Sequence, residues 1–169
     1  MSTQWMGRYR QLVAALIQHS NLNARTYKEP IQFSQDITLT VTEMQVLEVI
    51  IDCENVDKMS IISDRLCIPQ SSFSKIVSKL CSYDLVQKYQ MVGNKKNIIL
   101  RATKKAEKFY AEFSENYSSK NLFSSFFDGL KDVDDEVIDV FTKALCSLNE
   151  DIIASQKDNA ALNSQMQKK

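Results

Sequence analysis

The stretch from Ile61 to Arg101 constrains this chain more than any other. Ile61–Leu66 reads as a short helix, Ile68-Pro69-Gln70 as a turn, and Gln70–Ser82 as a second helix. In that second helix Phe73, Ile76, Val77 and Leu80 share one face, while Ser71, Ser74, Lys75, Ser78 and Lys79 lie largely on the others. Pro69 suits its place, because the first turn of a helix has no partner for the N–H that proline lacks. Two strands follow, Leu85–Val92 and Asn97–Leu100. Gly93-Asn94 supplies the chemistry of a tight turn between them, and Lys95-Lys96 makes the tip basic.

A helix, a turn, a polar helix and then a basic hairpin is the order of parts in a winged-helix DNA reader. The second helix enters a major groove and the hairpin reaches the neighbouring backbone. Small hydroxyls beside lysines let DNA approach closely and offer hydrogen bonds to phosphates or base edges.

Net charge alone points the other way, since 21 Lys/Arg balance 21 Asp/Glu. The distribution reverses that. Lys58–Lys108 carries eleven Lys/Arg against three Asp/Glu, a local +8, and Phe109–Asp151 carries three against ten, a local −7. One face is suited to phosphates and another to being kept away from them.

The rest of the chain is helical. With three Gly and two Pro in 169 residues, long helices run unbroken. Gln4–Leu22 carries Trp5, Tyr9, Leu12, Val13, Leu16 and Ile17 at three- and four-residue steps. Asn23–Thr38 loses the period and contains Glu29-Pro30, so it reads as a connection. Thr40, followed by Glu43 three residues on, forms a capping box for a helix ending near Asp52. Met59-Ser60 reads as a short strand or turn. Thr103 caps a helix reaching Phe127, and Asp132 opens another to about Gln156. The expected organisation is therefore 1–38 as an N-terminal dimerisation helix and connection, 39–102 as the reader, 103–157 as C-terminal dimerisation helices, and 158–169 as a flexible tail. The last of those helices carries about eight large apolar side chains, each worth ~1.5–3 kcal/mol on burial, and the small reader cannot cover them. A second copy of the chain is the economical partner, and it sets two reader helices about one DNA turn apart on a palindromic site.

The segments quoted above resemble the MarR family of bacterial transcription regulators, which are dimeric winged-helix proteins. Leu39–Leu47 is similar to the family's opening of the helix before the reader, Ile61–Ile68 to its first reader helix, and Ser71–Leu80 to its recognition helix. Asp84 stands where the family has Gly; Asp tolerates left-handed geometry better than most residues, so the turn survives. Asn94-Lys95-Lys96 replaces an Asp-x-Arg whose arginine enters the minor groove, and lysine lacks that planar fork. Ala102–Ala106 stands for Leu-Thr-x-x-Gly and keeps the capping threonine. The resemblance implies that Ser71, Ser72, Ser74 and Lys75 meet the major groove. It implies further that Gln70 and Lys79 bind nearby bases or phosphates, and that Asn94, Lys95 and Lys96 form the wing contact. It also implies a small aromatic or amphipathic effector, with Trp5, Tyr9, Met44, Phe109 and Phe113 as candidate lining; by spacing alone that stripe is ordinary core.

Other chemistry has little to draw on. His19 is the only histidine, which removes a histidine-based zinc site or a Ser-His-Asp triad. Cys53, Cys67, Cys81 and Cys146 have no CxxC spacing and each lies within or beside an apolar segment, as buried free thiols do. Asp132, Asp134, Asp135 and Glu136 sit where a helix N-terminus favours carboxylates. No apolar run reaches the length of a membrane span, no signal-peptide core is present, and no cofactor or metal is expected. The expectation is a cytoplasmic, mainly α, non-enzymatic homodimer that binds double-stranded DNA, most simply as a repressor. The alternative is a winged-helix module that binds a protein partner instead.

Overall fold

The computed structural model describes residues 3–53, 58–91, 94–117 and 124–166. The chain forms two compact units, Met1–Ser118 and Ser119–Lys169.

The first unit opens with a 3₁₀ segment, Thr3–Tyr9, before helix α1, Arg10–Thr26. A regular helix was expected from Gln4, but Gly7 takes φ 48°, ψ −130°, which breaks the hydrogen-bond ladder. The expected connection contains a small antiparallel hairpin, β1 (Pro30–Gln32) against β2 (Thr38–Thr40), in the register Ile31 opposite Leu39. Ile37 and Leu39 are buried while Thr38 and Thr40 are half-buried, the alternation of a strand with one face on a core.

Helix α2 is Val41–Asp52, and both halves of its capping box are made: Glu43 N donates to Thr40 Oγ1 at 3.2 Å and Thr40 N donates to Glu43 Oε2 at 2.8 Å. Helix α3 is Met59–Arg65 and absorbs the expected strand at Met59-Ser60; Lys58 alone makes a bridge, antiparallel to Ile99. Helix α4 is Gln70–Ser82, as its pattern predicts. β3 (Val86–Met91) and β4 (Asn94–Ala102) form the hairpin, with Tyr89 opposite Ile99 and Gln87 opposite Arg101. Helix α5 is Lys104–Tyr117, capped by Ala106 N donating to Thr103 Oγ1 at 3.1 Å.

α3 and α4 end in the same way. In α3, Ile68 N donates to Ser63 O and Cys67 N to Asp64 O, both at 3.0 Å. In α4, Leu85 N donates to Leu80 O and Asp84 N to Cys81 O, also at 3.0 Å. These are paired Schellman bonds, which require a left-handed residue just past the helix. Cys67 takes φ 52° and Asp84 φ 58° in that role. The left-handed turn expected at Asp84 is present.

Every buried apolar residue among those described lies between Ile37 and Ala106, led by Leu39, Leu47, Ile62, Phe73, Val77, Leu80 and Leu85. The reader therefore owns the core. Helix α1 buries none of its residues.

In the second unit, helix α6 (Ser124–Leu130) is followed by α7, Asp135–Met166. The single helix expected over 103–127 is seen as α5 and α6, with 118–123 outside the described residues. α7 runs ten residues beyond the expected end at Gln156, because no Gly or Pro stops it and Ala160, Ala161 and Leu162 favour helix. No described helix is long and apolar enough to cross a membrane.

Candidate nucleic-acid interface

The polar side of α4 is fixed by what its other side does. Phe73, Val77 and Leu80 are buried and Ile76 is half-buried, locking the rotation of the helix. Ser71, Ser72 and Lys75 therefore face solvent, and Ser74 is half-buried. Pro69 gives no side-chain cap, so the first backbone N–H groups of α4 are left for solvent or a ligand.

Two of the expected contacts are tied into the fold. Lys79 Nζ donates to Glu43 Oε2 at 2.7 Å, the same oxygen that accepts the Thr40 N–H. One carboxylate thus closes the cap of α2 and holds α4 against it. Gln70 Nε2 donates to Ser63 Oγ at 3.4 Å, and the fully buried Ser63 donates onward to Ser60 O at 2.8 Å. This chain of bonds joins the start of α4 to α3.

The wing is a paired hairpin whose lower part is braced on its exposed face. The Arg101 guanidinium lies 5.3 Å from the Tyr89 ring centre, and Tyr89 Oη donates to Gln87 Oε1 at 2.6 Å. Asn94, Lys95 and Lys96 belong to β4; their side chains, like Gly93 itself, lie outside the described residues.

Two cavities flank α4. Near its start, a cleft of 150 Å³ is lined by Lys58, Ser60, Gln70, Ser74 and Asn97, with Met59 and Ile98. Lys58, Ser60 and Asn97 were not anticipated, because an isolated bridge residue and a strand position carry no periodic signal. Near its end, a groove of 540 Å³ runs past Ser78, Cys81, Asp84 and Lys88. There Lys88 Nζ donates to Ser78 Oγ at 3.3 Å. Burial pushes the Cys81 thiol up, with Lys88 pulling the other way, and Cys81 and Cys53 both pack half-buried against the core. Cys67 and Cys146 are instead exposed. Cys67 ends a helix at the surface, and Cys146 lies on an uncovered part of α7.

Of the candidate effector residues, Met44, Phe109 and Phe113 share one apolar cluster. Met44 is in the core, and Phe33 meets Phe109 and Phe113 edge-on at 6.1 and 5.0 Å. Tyr9 is exposed against Arg8, and the side chain of Trp5 is outside the described residues. Beside the aromatic group, Tyr110 donates to Glu48. Burial first, then the bond and charge of Glu48, holds the Tyr110 hydroxyl well above its ordinary range.

No known family matches this chain by sequence, and no curated protein does. Solved structures share its fold. The zinc-responsive MarR family member ZitR of Lactococcus lactis aligns at 17% identity over 88% of this chain and 99% of its own, TM-score 0.57. Its complex with DNA aligns at 19% over 87% and 99%, TM-score 0.58. The transcriptional regulator BldR of Sulfolobus solfataricus aligns at 18% over 84% and 99%, TM-score 0.61. The chain has a MarR-like winged-helix fold.

Proposed function

We propose that this MarR-like winged helix is a transcription regulator that binds double-stranded DNA in a sequence-specific way. The observation that carries the reading is the outer face of α4. Ser71, Ser72 and Lys75 reach solvent with no partner among the described residues, on a helix whose rotation is fixed by its buried side. The fold shared with a DNA-bound ZitR structure supports the same docking. The wing residues Asn94, Lys95 and Lys96 complete the contact in the neighbouring groove.

The working unit is a homodimer on a pseudo-palindromic site, and repression follows from occlusion of a promoter. Its support is the apolar surface left in water: Leu12, Ile17 and Leu22 on α1, and Val137, Val140, Leu148 and Ile152 on α7. Covering these seven side chains is worth on the order of 10 kcal/mol. A small aromatic or amphipathic effector that opens the Phe33, Phe109 and Phe113 group lowers affinity by changing the spacing of the two readers.

The test is anisotropy on duplexes from the DNA flanking the chain's own coding region, at two salt concentrations, with stoichiometry by analytical ultracentrifugation. Lys75→Ala is expected to cost ~1–3 kcal/mol of specific affinity. Binding that is weak, indifferent to salt and unchanged by Lys75→Ala sinks the reading and favours the protein-partner module.

A further inference from the structure

The cleft at the start of α4 has a chemistry the recognition helix alone does not explain. Five polar residues line it, Lys58, Ser60, Gln70, Ser74 and Asn97. All five carry side chains that can donate a hydrogen bond, one is cationic, and no carboxylate lines the cleft among the described residues. Such a set selects an anion with several acceptor oxygens. The volume of 150 Å³ is well above the ~10–15 Å³ that a single water needs, leaving room for phosphate oxygens and the waters that bridge them.

The walls are held together. The Lys58–Ile99 bridge ties the start of α3 to β4. Ile61 N and Ile62 N donate to Lys58 O at 2.9 and 3.3 Å, and the Gln70–Ser63–Ser60 chain ties α3 to α4. Lys58 is exposed and its amine has no partner among the described residues. A preformed, donor-lined cleft needs little reordering on binding. Its position identifies the anion, since Gln70 and Ser74 belong both to the cleft and to the DNA-facing helix.

We infer that this cleft seats a backbone phosphate of DNA, with Lys58, Ser60 and Asn97 completing the contact begun by Gln70 and Ser74. The inference rests on the DNA reading above. Phosphate contacts fix register and carry no base information, so Lys58 is a positioning residue rather than one that reads sequence.

The test compares wild type, Lys58→Gln, Lys58→Arg and the pair Ser60→Ala/Asn97→Ala on a flanking-DNA duplex and on a scrambled one, over a salt series. Lys58→Gln is expected to weaken both duplexes by a similar factor of about ten and to reduce the salt slope by about 0.9, the loss of one phosphate contact. Lys58→Arg is expected to keep the wild-type slope. Ser60→Ala/Asn97→Ala is expected to weaken both duplexes several-fold with the slope unchanged. A wild-type chain without salt-dependent duplex binding overturns the DNA reading and this inference with it. Normal wild-type binding with an unchanged Lys58→Gln curve overturns the phosphate seat alone. If Lys58→Gln leaves duplex binding intact yet abolishes thermal stabilisation by inorganic phosphate, the cleft is a small-anion site and the assignment to DNA is overturned.

Discussion

Replacing Cys67 with glycine should stabilise the protein. Cys67 occupies the left-handed position of the Schellman turn after α3, at φ 52°, and its thiol is exposed. A side-chain-bearing L residue in that conformation costs ~1–2 kcal/mol. Glycine removes the cost but gives the unfolded chain more freedom, an opposing term of ~0.5–1 kcal/mol. Little packing is lost at an exposed site, so the net gain is roughly 0.5–1 kcal/mol. For a reader of this size that raises Tm by about 2–8 °C.

Asp84 serves as the internal control. It holds the same position after α4 at φ 58°, but Asp enters left-handed geometry more readily. Asp84→Gly should therefore gain less than Cys67→Gly. Thermal and urea unfolding under reducing conditions of wild type, Cys67→Gly, Cys67→Ala and Asp84→Gly separate the causes. Alanine removes the thiol and keeps the strain, so it should match wild type. If Cys67→Ala gains as much as Cys67→Gly, the effect belongs to the thiol and the backbone argument is refuted.

Three further outcomes follow from single contacts. Glu43→Gln keeps an acceptor for the Thr40 N–H but loses the ion pair with Lys79, so it should cost ~1 kcal/mol in urea unfolding. Glu43→Ala also orphans that N–H and should cost ~2 kcal/mol; equal costs would show that the reciprocal cap contributes nothing. Lys79→Ala should lower stability more than it lowers duplex affinity, because its amine is paired with Glu43; the opposite order, read by urea unfolding and anisotropy, refutes the assignment. Tyr110→Phe loses the bond to Glu48 and should cost ~1.5–3 kcal/mol at neutral pH. The folded Tyr110 hydroxyl titrates above its ordinary 10.0, so the wild-type advantage is full below pH 10 and shrinks as pH rises beyond it. An advantage that stays flat or grows there contradicts the sign.

Much of this fold was legible because its signals are local. α4 matches its pattern at both ends, since Pro69 fixes the start and a buried stripe of Phe73, Val77 and Leu80 fixes the face. The capping box of α2 was legible for the same reason. What was missed depends on geometry that pattern does not carry. Gly7 delays α1 through one left-handed residue, and β1 and β2 have three residues each, too short for alternation to stand out. In the candidate interface, the exposed serines and Lys75 were readable from helical spacing. Lys79 meets Glu43 across 36 positions, and Lys58 shares its cleft with Asn97 across a comparable gap. Only the packed structure brings such pairs together.

The zero net charge of the chain is the strongest composition argument against the proposed DNA binding, and the distribution of charge answers it. Charges in solution act over about 8 Å at physiological salt, so a duplex feels the surface it touches and not the sum over the molecule. The first compact unit carries fifteen Lys/Arg against twelve Asp/Glu and the second six against nine, a partition into +3 and −3. Within the reader the imbalance is sharper, eleven against three from Lys58 to Lys108. Of the basic residues there, Lys79 is neutralised by Glu43 while Lys58 and Lys75 have no described partner. The acidic excess has its own account: Asp135 and Glu136 stand in the first turn of α7, where carboxylates offset the helix dipole. Total charge is thus the wrong quantity. The slope of affinity against salt counts only the phosphates engaged, and it is the number on which this reading of the chain stands or falls.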